Sequence, residues 1–193
     1  MSDKITNILL VGVGGQGILL AAEILSETVM LAGYDVKKSE IHGMSQRGGS
    51  VVSHVRYGKE VFSPMVPEGE GDVLFGFELM ESYRALPLLK PGGTVVVNDL
   101  TIAPPSVLIG QEQYPEGLAQ KIKELVPDCI LVDGQNLALE AGNARAANTV
   151  LLGAVSKRLD IEEKYWLESI ERMVPRKALA VNLKAFELGR ALA

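Results

Sequence analysis

The sequence predicts an α/β fold: a mostly parallel, open sheet flanked by helices, followed by a helical C-terminal third. Three observations carry this reading. Short apolar runs recur at 8–11, 72–77, 94–97 and 129–132, and runs of that length bounded by turn residues read as buried strands. Stretches of helical length separate most of them, and alternation of the two types builds a parallel sheet. A glycine cluster, Gly12-Val13-Gly14-Gly15-Gln16-Gly17, follows the first run and opens a helical stretch, the strand–turn–helix setting of a Rossmann-like loop.

Taken in order, residues 8–11 form the first strand. Residues 18–32 form a helix closed by Gly33, since glycine readily takes the left-handed conformation that ends a helix. Its polar residues, Glu23, Ser26, Glu27 and Thr28, make only a narrow strip, so this domain or a partner must cover most of its surface. Residues 34–41 read as a second strand, and 51–57 alternate as a third. Strand 72–77 leads to a helix over 79–89, and Pro91-Gly92-Gly93 makes a turn before strand 94–97. One more strand, 129–132, ends at Asp133-Gly134. Residues 137–159 read as one long, Ala-rich helix. Asp160-Ile161-Glu162-Glu163 has the spacing of a capping box, opening a helix whose apolar face is Trp166, Ile170 and Met173. Pro175 separates that helix from a final one over 177–192. Long loops are expected at 64–71 and around Pro104-Pro105.

Length and charge narrow the function classes. At 193 residues, one domain spanning 1–193 is expected, long enough to bury a core without staples. A net charge of −5 argues against a nucleic-acid binder, which needs a basic field over its phosphate-facing surface. The single cysteine, Cys129, excludes an internal disulfide and any cysteine-ligated zinc or iron–sulfur site built from this chain alone. It also fits a reducing compartment. Apolar runs fall short of the roughly 18 residues that span a membrane. The N-terminus lacks the basic region of a signal peptide and runs straight into the first strand. The expectation is a cytoplasmic protein with no membrane or nucleic-acid partner. Charge is uneven: Lys37, Lys38, Arg47, Arg56 and Lys59 precede an acidic stretch over 60–84, which predicts adjoining positive and negative surfaces if both are exposed.

In the glycine motif, Gly12 would allow the tight turn, Gly14 the approach of a phosphate, and Gly17 close helix–strand packing. A dinucleotide site also wants an acid at the end of the second strand. Asp35 comes early there and Lys37-Lys38 follow, leaving Glu40 as the acid available. A second loop, Ile41-His42-Gly43-Met44-Ser45-Gln46-Arg47-Gly48-Gly49-Ser50, combines an amide, a guanidinium and glycines. Arg47 suits a carboxylate or phosphate, and Gly48-Gly49 permits close backbone approach. His42 is an acid–base candidate outweighed by an ordinary turn, and His54, on an alternating strand with Val52 and Arg56, reads as structural. Asn98-Asp99 follow a strand C-terminus, where open α/β sheets place ligands. Asn148 and Asn182 lie in helical stretches and read as packing or subunit contacts. A catalytic Ser-His-Asp set, a phosphate loop ending in Gly-Lys-Ser/Thr, a His-rich metal spacing and a thiamine fingerprint are all missing from the sequence. No residue is assigned a catalytic or metal-binding role.

These motifs together resemble the gamma-type domain of 2-oxoacid:ferredoxin oxidoreductases. The residues that carry the resemblance are 12–17, 45–50 with the strand 51–56, 142–153 and 182–189. The form of 41–50 is most similar to the beta subunits of the branch acting on indolepyruvate. The resemblance implies a subunit of an enzyme that couples CoA-dependent oxidative decarboxylation of a 2-oxo acid to ferredoxin reduction, inactive alone. Thiamine diphosphate, Mg2+ and clusters of the 4Fe–4S type would lie in a larger alpha subunit, with coenzyme A bound in the assembly and ferredoxin as electron acceptor. Carried over by motif, Gly12, Gly14, Gly15, Gln16 and Gly17 form one cofactor-binding or interface loop, and Gln46, Arg47, Gly48 and Gly49 the other. Two alternatives stay open: a stand-alone NAD- or flavin-dependent oxidoreductase, and a non-catalytic anion-binding regulatory module.

Overall fold

A computed structural model describes residues 4–43 and 49–192. Six strands form one sheet in the order β2-β3-β1-β4-β5-β6. They are β1 (Thr6–Val13), β2 (Asp35–His42), β3 (Ser50–Gly58), β4 (Gly71–Gly76), β5 (Leu89–Asn98) and β6 (Cys129–Val132). β1, β4, β5 and β6 run parallel, while β3 runs antiparallel to both β1 and β2. The parallel character holds for five of the six strand directions, and β3 alone runs against them. The reason lies in the length of chain between β2 and β3: residues 43–49 are fewer than the dozen or so that a parallel crossover needs, so the two strands pair as a hairpin.

Alternation along the strands divides the core into two layers. Ile8, Leu10, Val55, Phe75 and Val96 face the larger layer. Helices α1 (Ile18–Leu31), α5 (Gly134–Ala141), α6 (Ala147–Ser156), α7 (Glu163–Met173) and α8 (Leu179–Arg190) supply its other side. Leu9, Val11, Leu74, Val95 and Val97 face the second layer, under α2 (Leu79–Ala85) and α4 (Leu118–Leu125), with a short α3 (Pro105–Leu108) in the loop between them. Trp166, fully buried, stacks on Phe186 at 6.0 Å between ring centroids. Ser169 on α7 donates to the Ile24 carbonyl of α1, so the mostly apolar first helix is covered largely from within the chain.

Several local expectations are corrected. The stretch 137–159 is not one helix. Gly142 ends α5 at φ +117°, a conformation other residues avoid at a cost of roughly 1–2 kcal/mol. Asn143 then caps a 3-10 turn, Ala144–Ala146, by accepting from Arg145 N–H, and α6 starts afresh. The capping box at Asp160 does not form, because α7 begins at Glu163 with no side-chain cap. Ile161 is buried in the larger layer, which takes the chain through that point before the helix starts. Pro91-Gly92-Gly93 lies inside β5 rather than before it, as an irregularity between the pairs Gly71–Leu89 and Val73–Thr94. The helix over 79–89 stops at Ala85 and tightens into a 3-10 turn, Leu86–Leu88, containing Pro87. The acidic stretch 60–84 is not simply a surface: Glu78 and Glu81 are buried, and Asp72 pairs with Lys4 and Lys90.

Candidate functional site

The candidate residues gather at the pole where β1, β4, β5 and β6 end. The glycine loop leaves β1 here. Gly12 is a close-approach position: an added Cβ would lie 2.6 Å from Gln16 Oε1 and 2.8 Å from Phe77 Cβ. Gly17 caps α1 in the left-handed conformation, φ +79°, with its missing Cβ 3.0 Å from Asn148 Nδ2. The tight-turn and close-packing roles expected of Gly12 and Gly17 are thus exchanged. Gln16 folds back into the loop. Its Oε1 accepts from Val13 N–H at 2.7 Å, and its Nε2 donates to the Phe77 carbonyl at 2.7 Å.

The two loops singled out in the sequence meet. Gly14 N–H donates to the Gly49 carbonyl at 2.9 Å, and Gly43 N–H donates to the Ser50 carbonyl at the mouth of the second loop. Gly15 is exposed at the tip of the first. Gln46, Arg47 and Gly48 lie outside the described residues. The backbone N–H of Gly14, the position expected to admit a phosphate, is therefore committed to the neighbouring loop.

The dinucleotide alternative meets a topological obstacle. β2 is separated from β1 by the antiparallel β3, which sets it two strand spacings, roughly 10 Å, away. Glu40 is engaged near Lys38 and His42 on the face of α1, and Asp35 sits at the opposite end of the strand, paired with Lys37. Neither acid reaches the end of β1, so the ribose partner of a dinucleotide site is missing. His42 is half exposed, with Nε2 3.7 Å from Glu40. His54 is buried, and its Nδ1 accepts from Val66 N–H at 3.1 Å. Burial pushes its pKa down, in keeping with a structural histidine.

A cleft of about 430 Å3 opens beside the glycine loop. Gln16, Phe77, Asn98, Leu100, Arg145 and Asn148 are among the residues that line it, and among the described residues none of the lining is a carboxylate. α1 and α6 begin at its wall, and helix N-termini favour negative charge. Asn98 braces the floor: Oδ1 accepts from Gly134 N–H at 3.0 Å, and Nδ2 approaches the Phe77 carbonyl at 3.4 Å. Asp99 is exposed, and its N–H extends the pairing to Val132. Asn182 accepts from Thr149, the neighbour of Asn148, and so ties α8 to α6. A second cleft, about 740 Å3, lies across the loop and is lined by Gly14, Leu19, Leu20, His42, Gly43 and Val51 among others.

Sequence reasoning missed Glu78. Its carboxylate is fully buried and accepts from Glu81 N–H at 2.9 Å, Ile102 N–H at 3.2 Å and Tyr114 Oη–H at 2.5 Å. It thereby fixes the loop that supplies Leu100 and Ile102 to the cleft wall. Burial and that carboxylate hold the Tyr114 phenol well above its usual range. The signal was available, since Glu78 follows the end of a strand as Asn98 does. Among the described residues no three His, Cys, Asp or Glu gather to hold a metal, and Cys129 is half-buried with its thiol pushed up to about 11 by burial. The donor set does not fit an iron–sulfur cluster, which takes about four thiolates, nor a metal–diphosphate site.

Comparison with known proteins agrees with this geometry. Residues 7–192 match the pyruvate ferredoxin/flavodoxin oxidoreductase family model. The indolepyruvate oxidoreductase subunit IorB of Pyrococcus horikoshii is 43% identical over 190 residues, covering 95% of this chain and 93% of that protein. The keto/oxoacid ferredoxin oxidoreductase gamma subunit of Geobacter sulfurreducens superposes with a TM-score of 0.73 at 25% identity, over 97% of this chain and 98% of that one. A 2-oxoglutarate:ferredoxin oxidoreductase chain from Magnetococcus marinus shares the fold with a TM-score of 0.76 at 23% identity, covering all of this chain but 31% of its own.

Proposed function

The chain belongs to the pyruvate ferredoxin/flavodoxin oxidoreductase family, and from that premise we propose that it is the gamma-type subunit, named beta in two-subunit forms, of an indolepyruvate ferredoxin oxidoreductase. The overall reaction joins the acyl residue of an aryl 2-oxo acid to the CoA thiol. It releases CO2 and a proton and passes an electron pair, one electron at a time, to ferredoxin. Thiamine diphosphate supplies the carbon chemistry and iron–sulfur clusters the electron path. We assign both to the larger subunit, a reading supported by this chain's single cysteine and by the lack of a thiamine fingerprint in its sequence.

The observation that carries the reading is the meeting of the two glycine loops, Gly14 to Gly49, beside a cleft lined by Arg145 and, among the described residues, by no carboxylate. This pole faces the larger subunit. Its loops complete the assembly and line the region where the CoA or substrate anion sits, with Arg47 set against that anion. The experiment is reconstitution with the larger subunit, followed by anaerobic assay of ferredoxin reduction with a panel of 2-oxo acids. Activity is expected only with both chains present, with CoA required and indolepyruvate preferred over pyruvate and 2-oxoglutarate. Oxidation of a 2-oxo acid by the lone chain overturns the reading. In the assembled enzyme, Arg47→Ala is expected to raise the CoA or substrate concentration needed by about one to two decades, the worth of a charge-assisted contact of roughly 1.5–3 kcal/mol. Normal assembly with unchanged kinetics removes Arg47 from the anion site.

A further inference from the structure

Two helices begin at the wall of the cleft of about 430 Å3 without a side-chain cap. Gly17 precedes α1 and Ala146 precedes α6, and neither offers a side-chain acceptor. The first N–H groups of a helix have no partner within it, and the helix dipole adds partial positive charge there. Asn148 joins the two ends. It is the second residue of α6 and is 6% exposed. Its Oδ1 lies 3.4 Å from the Thr149 hydroxyl, whereas its Nδ2 has no hydrogen-bond partner among the described residues. A Cβ on Gly17 would lie 3.0 Å from that nitrogen, which sets the free amide at the start of α1, on the cleft wall. A buried donor left without an acceptor carries the full cost of its desolvation, and a ligand oxygen would remove that cost.

Arg145 supplies a full positive charge. It is exposed, and its guanidinium has no ion-pair partner among the described residues. The other amides of the cleft are mostly spent. Gln16 is bonded to Val13 and Phe77, and Asn98 to Gly134 and Phe77, which leaves Gln135 to join Arg145 and Asn148. The glycine-loop amides that would cradle a phosphate are also taken, Val13 N–H by Gln16 and Gly14 N–H by Gly49. One guanidinium and one amide donor match the two oxygens and single charge of a carboxylate. They match less well the three oxygens and near-double charge of a phosphate monoester. Leu20, Leu100 and Ile102, none of them fully buried, add an apolar wall.

We propose that this cleft is a receptor for a small monocarboxylate with an aryl or branched apolar body. Arg145 and Asn148 Nδ2 hold the carboxylate at the start of α1, and the body lies against Leu20, Leu100 and Ile102. A volume of about 430 Å3 falls within the ~300–1,000 Å3 of small-ligand sites. The inference deepens the reading above and rests on it for the ligand class, since a subunit working on aryl 2-oxo acids meets such anions. It assigns the anion of this cleft to a carboxylate and not to the phosphates of CoA.

The test titrates the isotope-labelled full chain, read by NMR, with indole-3-acetate, a non-reacting aryl carboxylate. Acetate, inorganic phosphate and CoA form separate arms. Indole-3-acetate is expected to saturate, to shift the Asn148 side-chain amide, and to bind at least about tenfold tighter than any of the other three. Arg145→Gln is expected to weaken it about tenfold, and Asn148→Asp, which sets a carboxylate against the ligand, at least about thirtyfold, both with unchanged circular dichroism. Lys121→Gln, on α4 in the opposite layer, removes the same charge and is expected to match the wild type. The exposed Arg145 keeps the test decisive where Asn148→Asp disturbs α6. Equal or tighter binding of acetate, phosphate or CoA overturns the ligand class. Saturation that neither variant weakens, or no saturation, overturns the site. Those outcomes leave the subunit reading intact, and failed reconstitution with the larger subunit beside a successful titration overturns that reading alone.

Discussion

Gln16 sits among glycines whose spacing suggests a phosphate cradle, yet its amide bonds Val13 and Phe77 within the loop. A residue's type states which bonds it can make, and its neighbours decide which it does make. Phe77 is the neighbour that matters here: its carbonyl accepts from Gln16 and lies near Asn98, bracing three strand ends. His54 makes a sharper case with a measurable consequence. Its Nδ1 must be unprotonated to accept from Val66, and burial holds the imidazole below its usual 6.5. The unfolded chain therefore takes up a proton at higher pH than the native one. The stability that His54 contributes is complete above about pH 6.5 and is lost as the pH falls through its lower native value. Thermal melts between about pH 7.5 and 5 are expected to show this decline, and His54→Gln to flatten it. An unchanged slope in the variant would assign the decline to other groups.

At the scale of elements, the crossing of α6 and α8 depends on two glycines that read only as part of helical stretches. A Cβ on Gly189 would lie 1.9 Å from the Val150 carbonyl oxygen, and one on Gly153 would lie 2.2 Å from the Phe186 carbonyl oxygen. Both obstacles are backbone, so neither can rotate away. Gly189→Ala is expected to destabilise by about 3 kcal/mol, at the upper end of overpacking costs. The better helix propensity of alanine, worth about 1 kcal/mol, offsets only part of this. Urea unfolding measures the difference, and a midpoint equal to or above wild type would show that the helices separate freely. Helix ends were less legible than helix existence. Gly142-Asn143 was available as a stop followed by a cap, but the Ala-rich composition on either side favoured continuity. At Asp160 the capping pattern was present, but the helix began beyond it after Ile161 was taken into the core.

At the scale of the whole molecule, the layers divide the work. The five-helix layer buries Trp166, Phe186 and the first helix. The thinner layer under α2 and α4 leaves β2 and β3 to the loop that bears Phe62. The pole of the sheet collects the two glycine loops, Asn98 and the Glu78–Tyr114 contact from segments far apart in sequence. Exposed large apolar side chains are spread over the molecule: Leu19, Leu20 and Ile41 lie near the glycine loop, Phe62 and Met65 on the loop after β3, and Leu108, Ile109, Leu125 and Leu139 elsewhere.

The sequence by itself determined the α/β class, the existence of all six strands, the first helix and the family resemblance. Apolar period and glycine punctuation are local signals, and each survives folding because the backbone near it obeys them. Tertiary structure alone decided that β3 lies between β2 and β1, that the two glycine loops touch, and that Gln16 turns inward. It also decided that Glu78 is buried, accepting from Glu81, Ile102 and Tyr114, and that Phe62 is exposed. Those outcomes depend on strand order and on which face a loop crosses. Both are set by contacts between residues tens of positions apart, and no local pattern in the chain encodes them.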